Sequence, residues 1–161
     1  KEEVDKLFSI IEGMARKYKD TCQKEKIRFV HIGRKDRIPP TLRDLLINIE
    51  KDTKQFTKFT IVLAIDYGGH DELLRTIRKI VEQKEEITEE NIEKNLDTAG
   101  IPQIDYIIRT GGEKRLSGFM SWQCAYAELF FTDTYFPAFS PKKFEEAVEE
   151  FSKRVRRFGG D

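Results

Sequence analysis

Phe59-Thr60-Ile61-Val62-Leu63-Ala64-Ile65 is the stretch on which the fold turns. It is a nearly continuous apolar run, rich in β-branched residues, without the polar alternation of a strand that is wet on one face. Such a run suits a strand covered on both faces, as in a parallel sheet. Gly68-Gly69 closes it, and Leu73, Leu74, Ile77, Ile80 and Val81 follow at helical spacing. Upstream, Pro39-Pro40 opens a helix with the stripe Leu42, Leu45, Leu46 and Ile49. Ile27-Arg28-Phe29-Val30-His31-Ile32 reads as a shorter strand closed by Gly33. The first element is a helix whose apolar positions are Val4, Leu7, Phe8, Ile11, Ala15 and Tyr18.

Downstream, Thr88 is the N-cap of a further helix, with Ile87 and Ile92 at the positions of a hydrophobic staple. Residues 104–108 make a strand that runs into Gly111-Gly112, while residues 125–131 fit either a strand or a helix tail. Ser140-Pro141 begins the last helix, whose apolar face is Phe144, Ala147, Val148, Phe151 and Val155. Its acids come early and its bases late, an order that complements the helix dipole. Strands alternate with helices throughout. That pattern predicts an α/β fold, a mainly parallel β-sheet flanked by helices, in a single domain over residues 1–161.

Composition narrows the function classes. Lys+Arg and Asp+Glu both number 29, so no overall basic field recruits nucleic acid. No apolar stretch approaches the roughly 20 residues that cross a bilayer, so any membrane contact is expected to be peripheral. Cys22 and Cys124 read as buried thiols rather than a disulfide framework, which suits a reducing cytoplasmic setting. The chain opens at Lys1 inside a helical pattern, which suggests a segment of a longer protein.

The chemistry-bearing stretch is Asp105-Tyr106-Ile107-Ile108-Arg109-Thr110-Gly111-Gly112-Glu113-Lys114-Arg115-Leu116-Ser117. It leaves a strand and enters a glycine turn, and ligands of open α/β sheets gather beyond the carboxyl ends of strands. Two arginines, a lysine and a hydroxyl cluster around glycines that allow backbone N–H groups to come close to an anion. A guanidinium matches phosphate oxygens in a planar fork, each charge-assisted bond being worth about 1.5–3 kcal/mol. The stretch therefore reads as a phosphate or diphosphate site; a surface hairpin with solvated charges is the alternative that spacing alone leaves open. His31 lies in a strand and His70 follows a glycine turn, neither with a second metal ligand nearby. Trp122 and Tyr126 read as core residues.

Ile108-Arg109-Thr110-Gly111-Gly112-Glu113, Arg115-Leu116-Ser117, Trp122-Gln123, Ala125-Tyr126-Ala127-Glu128-Leu129 and Phe136-Pro137 closely resemble the C-terminal signature of undecaprenyl diphosphate synthases and related cis-prenyltransferases. Tyr67-Gly68-Gly69 and Arg156-Arg157-Phe158-Gly159-Gly160 are similar to that family too. The resemblance implies sequential condensation of isopentenyl diphosphate onto an allylic diphosphate, giving a long-chain Z-polyprenyl diphosphate for carrier-lipid biosynthesis. It implies that Arg109, Gly112, Arg115 and Ser117 bind the isopentenyl diphosphate and that Glu128 helps to organise Mg²⁺. Arg157 and Gly159 would reach across a homodimer, and the growing hydrocarbon would need an apolar tunnel, for which Leu7, Phe8, Ile11 and residues 61–65 are candidate walls.

The likeness stops short at one place. The family's Asp-Gly-Asn-type loop, whose aspartate is the metal ligand on which catalysis depends, has no equivalent in these residues. The catalytic aspartate is therefore expected outside this chain, the segment alone is expected to be inactive, and its sheet should show exposed apolar surface and an open strand edge. Gly118, Ala138, His70 and Lys114 also depart from the residues usual at those positions. A non-catalytic partner subunit of a heteromeric cis-prenyltransferase is the other function that the sequence admits.

Overall fold

Helix-forming stripes and β-branched runs alternate along the chain, and the computed structural model, which describes residues 2–155, turns each of them into an element. In order these are α1 (Glu2–Lys24), β1 (Ile27–Ile32), α2 (Pro40–Thr53), β2 (Phe59–Ala64), α3 (Gly69–Glu82), α4 (Glu89–Asn95), β3 (Tyr106–Arg109), β4 (Glu128–Phe131) and α5 (Pro141–Ser152). Residues 125–131, which fitted strand or helix, resolve as turn followed by strand. The caps are those expected: Thr88 Oγ1 accepts from the Asn91 N–H at 3.2 Å. Ser140 takes the Lys143 N–H with Pro141 in the first turn of α5. The fold is α/β with parallel strand pairs and flanking helices. The chain packs as two units, residues 2–68 with 95–98 and residues 69–94 with 99–155.

In the first unit β1 and β2 pair in parallel, Ile27 opposite Phe59 and Ile32 opposite Ala64. Phe29, Ile38, Leu42, Leu46, Ile49 and Ile65 form its core, with Phe8, Ile11 and Ala15 of α1 packed against them. Leu42 and Leu46 are wholly buried, each burial contributing about 1.5–3 kcal/mol. Gly33 has φ +110°, and a Cβ there would lie 2.2 Å from the Ile65 carbonyl oxygen, so the chain can leave β1 only through glycine.

One expectation is corrected here. The run 59–65 is not covered on both faces: Phe59 is 59% exposed and Ile61 39%. Within its unit β2 packs on the core cluster through Leu63, while Phe59, Ile61 and Ala64 are exposed and Thr60 and Val62 are half-buried. The outer edge of β1 is covered by side chains, while β2 pairs only with β1 among the described residues. The N–H groups that point away from β2 belong to Phe29, His31 and Gly33, and they donate to Thr53 Oγ1, Glu50 Oε1 and Asp97 Oδ2 at 3.0, 2.8 and 3.0 Å. Side chains of α2 and of the segment after α4 thus stand where a further strand would pair.

In the second unit β3 and β4 form another parallel pair, Tyr106 opposite Glu128 and Arg109 opposite Phe131. Helix α5 packs on this pair through Ala147, which is fully buried, and through Phe151, whose ring lies 4.7 Å from that of Tyr106. Its other apolar positions, Phe144, Val148 and Val155, are exposed. The buried face of α3 is Gly69, Glu72, Thr76 and Ile80, whereas Leu74 and Val81 of the expected stripe are exposed. Tyr126, expected in the core, is 73% exposed and lines a cleft with Trp122, Glu89 and Glu93.

Candidate functional site

A parallel strand delivers its last residue to the rim of the sheet, and β3 delivers Arg109. The turn that follows is fixed by the backbone. The Thr132 N–H donates to the Arg109 carbonyl at 3.0 Å, while the Gly112 and Gly111 N–H groups donate to the Thr132 and Thr134 carbonyls, both at 3.0 Å. Gly111 and Gly112 have φ +91° and +80°, where a side chain is strained. The glycines were expected to offer their N–H groups to an anion; in the structure those groups serve the β4 side of the turn. Gly112 contributes a turn.

The two arginines meet within the loop. Arg109 Nη1 donates to the Arg115 carbonyl, and Arg115 Nη1 pairs with Glu113. Among the described residues, both arginines are tied only to groups within this loop. Among the described residues, Lys114 and the Ser117 hydroxyl have no hydrogen-bond partner. Ser117 has φ +52°, Gly118 +74° and Met120 +47°, so the loop beyond the arginines folds back in the left-handed region. Beside it lies a cleft of about 290 Å³ lined by Ile107, Ile108, Arg109, Thr110, Leu116 and Phe119. Arg109 and Arg115 thus meet at this rim, with Gly112 and Ser117 in the same loop and an apolar wall beside Arg109.

Glu128 does not join them. It is the first residue of β4 and pairs with Tyr106, three residues before Arg109, which places it about 10 Å back along the strands at 3.3 Å per residue. Its Oε2 accepts from Arg154 Nη1 at 2.7 Å. Arg154 also donates to the Leu129 carbonyl at 3.1 Å and pairs with Glu150 at 2.8 Å. The Tyr106 hydroxyl completes the network, donating to Glu150 Oε2 at 2.9 Å and approaching the Ala147 carbonyl at 3.1 Å. Burial, and then the Glu150 carboxylate, push the Tyr106 phenol up to about 12. The Arg154 bond, followed by the Tyr106 bond, holds Glu150 below its ordinary value. A hard divalent cation takes six or more oxygen ligands; here one carboxylate is committed to a guanidinium, and no three His, Cys, Asp or Glu side chains gather among the described residues. These residues do not fit a metal centre of their own. Arg157 and Gly159, expected to cross a dimer, lie outside the described residues.

Other singled-out groups find ordinary places. His31 is buried with Nε2 3.2 Å from the Ile65 carbonyl oxygen, and burial pushes its ring below the usual histidine value. Burial pushes both the Cys22 and Cys124 thiols up. Glu72 is a buried residue that the sequence reading did not single out. It is 1% exposed and accepts from Gln123 Nε2 at 3.0 Å. The available signal was the spacing of Gly69, Glu72, Thr76 and Ile80, a helical face hidden by the louder leucines beside it.

The family model described as putative undecaprenyl diphosphate synthase matches residues 1–159. The chain belongs to the undecaprenyl diphosphate synthase family. Among relatives of this cis-prenyltransferase family, the isoprenyl transferase of Aquifex pyrophilus is 45% identical over 160 residues, covering 99% of this chain and 69% of that protein. The isoprenyl transferase of Helicobacter pylori is 41% identical over 165 residues, covering 99% and 70%. A crystal structure of a probable undecaprenyl diphosphate synthase from Campylobacter jejuni superposes with TM-score 0.91 at 34% identity, covering 99% of this chain and 76% of that one. Lavandulyl diphosphate synthase from Lavandula x intermedia, solved in complex with dimethylallyl diphosphate, gives 0.92 at 33%, covering 99% and 72%. Family membership and the parallel α/β architecture thus agree. No described helix is long and apolar enough to cross a membrane.

Proposed function

We propose that this chain is the part of a cis-prenyltransferase catalytic domain that binds isopentenyl diphosphate for condensation with an allylic diphosphate, giving a long-chain Z-polyprenyl diphosphate. The observation that carries the proposal is the meeting of Arg109 and Arg115 in the loop beyond the carboxyl end of β3, with Ser117 two residues further on, beside an apolar cleft. Diphosphate suits the two guanidinium forks, and a five-carbon isoprenoid suits the walls of Ile107, Ile108, Leu116 and Phe119. In the reaction the carbon–oxygen bond of the allylic diphosphate breaks and diphosphate departs. The double bond of isopentenyl diphosphate supplies the electron pair of the new carbon–carbon bond, and a proton leaves the adjacent carbon. Arg109 and Arg115 hold the charge of the attacking substrate in place, so that orientation is settled before the bond forms. Ser117 donates its hydroxyl to the same diphosphate.

Mg²⁺ dependence belongs to this proposal as a requirement of the complete enzyme; Glu128 is its one candidate ligand here, and no step is assigned to the ion. Assembly as a homodimer in the cytoplasm, with Arg157 and Gly159 reaching the partner's site and the lipid product giving peripheral membrane contact, completes the picture. Calorimetric titration of the chain with isopentenyl diphosphate tests the core of it. Saturable binding that Arg115→Ala weakens, with unfolding unchanged, is expected; binding that ignores Arg115→Ala removes that residue from the site. The 161 residues contain no Asp-Gly loop, so labelled isopentenyl diphosphate should not turn over on this chain alone, and measurable product refutes that part. A second reading, a non-catalytic partner subunit, is favoured by the engagement of Glu128 with Arg154. It predicts binding without turnover even when the relatives' additional length is supplied.

A further inference from the structure

We propose that Gly69 and Glu72 of α3, together with Ser121 and Gln123, are positioning residues that hold the Ser117 loop in its binding shape. This rests on the assignment of that loop to diphosphate. Ser117 and Met120 are not glycines, yet both lie at positive φ, with Gly118 between them. L-residues leave that region unless neighbouring contacts over-determine it. Some part of the structure must therefore hold residues 117–120 in place.

The contacts that do so come from the start of α3. The Gly118 carbonyl, immediately after Ser117, accepts the Gly69 N–H at 3.0 Å and the Ser121 hydroxyl at 3.1 Å. Gly69 reaches it only because it lacks a side chain: a Cβ would lie 2.5 Å from the Gly118 oxygen and 2.8 Å from Ser121 Oγ. One turn along the same helix, the Glu72 carboxylate takes the Gln123 side chain in a buried hydrogen bond. The Gln123 carbonyl accepts the Ile104 N–H at 3.1 Å, tying the far end of the segment to the approach of β3. A single helical turn thus grips both flanks of the loop, at Gly118 and at Gln123. A buried carboxylate is an unfavourable way to build a helix face, and here its hydrogen bond fixes the segment that carries Ser117. The positive φ of Ser117 sets where its hydroxyl points, so a shift at Gly118 would be felt at the substrate. This gives the second glycine of Tyr67-Gly68-Gly69 a task at the site without contact to any ligand.

The test is a double-mutant cycle read by calorimetric binding of isopentenyl diphosphate to the whole chain, with inorganic diphosphate as a second probe. Ser121→Ala, at an exposed residue, removes one bond to Gly118 and should weaken binding about three- to tenfold, with the unfolding midpoint unchanged. Gly69→Ala should weaken it tenfold or more. In a Ser117→Ala background both effects should vanish, because the hydroxyl they position is gone. Unchanged binding in Ser121→Ala, or losses that persist undiminished in the Ser117→Ala background, would overturn the proposal; if Gly69→Ala fails to fold, the Ser121 cycle decides alone. Arg115→Ala separates the two levels. If it leaves binding intact, the diphosphate site itself is misassigned; if it weakens binding while Ser121→Ala does not, only the positioning role falls.

Discussion

The two ends of the β3–β4 pair carry charge in opposite ways. At the carboxyl end, Arg109 and Arg115 are tied only within their own loop, to the Arg115 carbonyl and to Glu113, and Lys114 has no partner among the described residues. At the amino end, Tyr106, Glu128, Glu150 and Arg154 satisfy one another across three segments of chain. Cations tied only locally, on a turn beside an apolar cleft, are free to meet an anionic ligand. A guanidinium that already has two carboxylates and a carbonyl is structural, since any ligand would have to displace an existing pair. The difference leaves one end open to a ligand and gives the other to helix docking, though both ends hold the residue types that a sequence motif would group together.

The largest effect that could break this contrast is loss of both guanidinium forks. Arg109→Ala combined with Arg115→Ala should weaken isopentenyl diphosphate binding roughly a hundredfold or more, while the thermal unfolding midpoint stays in place. Arg154→Ala should do the reverse. It strands Glu128 and Glu150, so the midpoint falls by several degrees, while binding moves by no more than about twofold, as expected for separated sites. Equal losses of binding in the two experiments would erase the distinction between the ends.

Tyr106→Phe sharpens it on a smaller scale, removing hydroxyl contacts to Glu150 and Ala147 at a stability cost of about 1 kcal/mol. This phenol is raised above its ordinary value near 10, to about 12. Its contribution is therefore complete below about pH 10 and lost as pH rises toward 12. Denaturant midpoints of the wild-type and Tyr106→Phe chains should converge over that window; a constant gap would show that the phenol is not the titrating group. The smallest effect is expected from a chelator, which should leave the unfolding midpoint unchanged because no metal-ligating trio gathers among the described residues. A fall in the midpoint would point to a resident ion at the Glu128 end.

The local grammar of the chain carried much of this. The strand before Gly33, the Thr88 and Ser140 caps and the basic glycine turn at 109–117 follow from short-range spacing, and they sit where that spacing puts them. What failed to read through was relational. Which end of a strand pair Glu128 occupies depends on its register with Tyr106, 22 positions earlier, and no local pattern encodes that. Its partner Arg154 arrives 26 residues later. The apolar run 59–65 looked two-sided because hydrophobicity records what a residue tolerates rather than what covers it, and Phe59 is largely exposed. On α3 the leucines drew attention from Glu72 and Thr76, whose burial rests on partners elsewhere in the sequence.

The Arg154 clamp also bears on the order in which the molecule can be made. Each parallel pair joins strands that are consecutive along the chain, β1 with β2 and β3 with β4, so each can assemble as soon as its own crossover has left the ribosome. The amino end of the second pair cannot be completed then. Glu128 waits for a guanidinium 26 residues downstream, and the Tyr106 hydroxyl waits for Ala147 and Glu150. The turn at Gly111-Gly112, by contrast, is closed by backbone bonds to Thr132 and Thr134, which precede Arg154 in the chain. A chain released before residue 154 would carry the 109–117 loop on a strand pair that lacked this fastening.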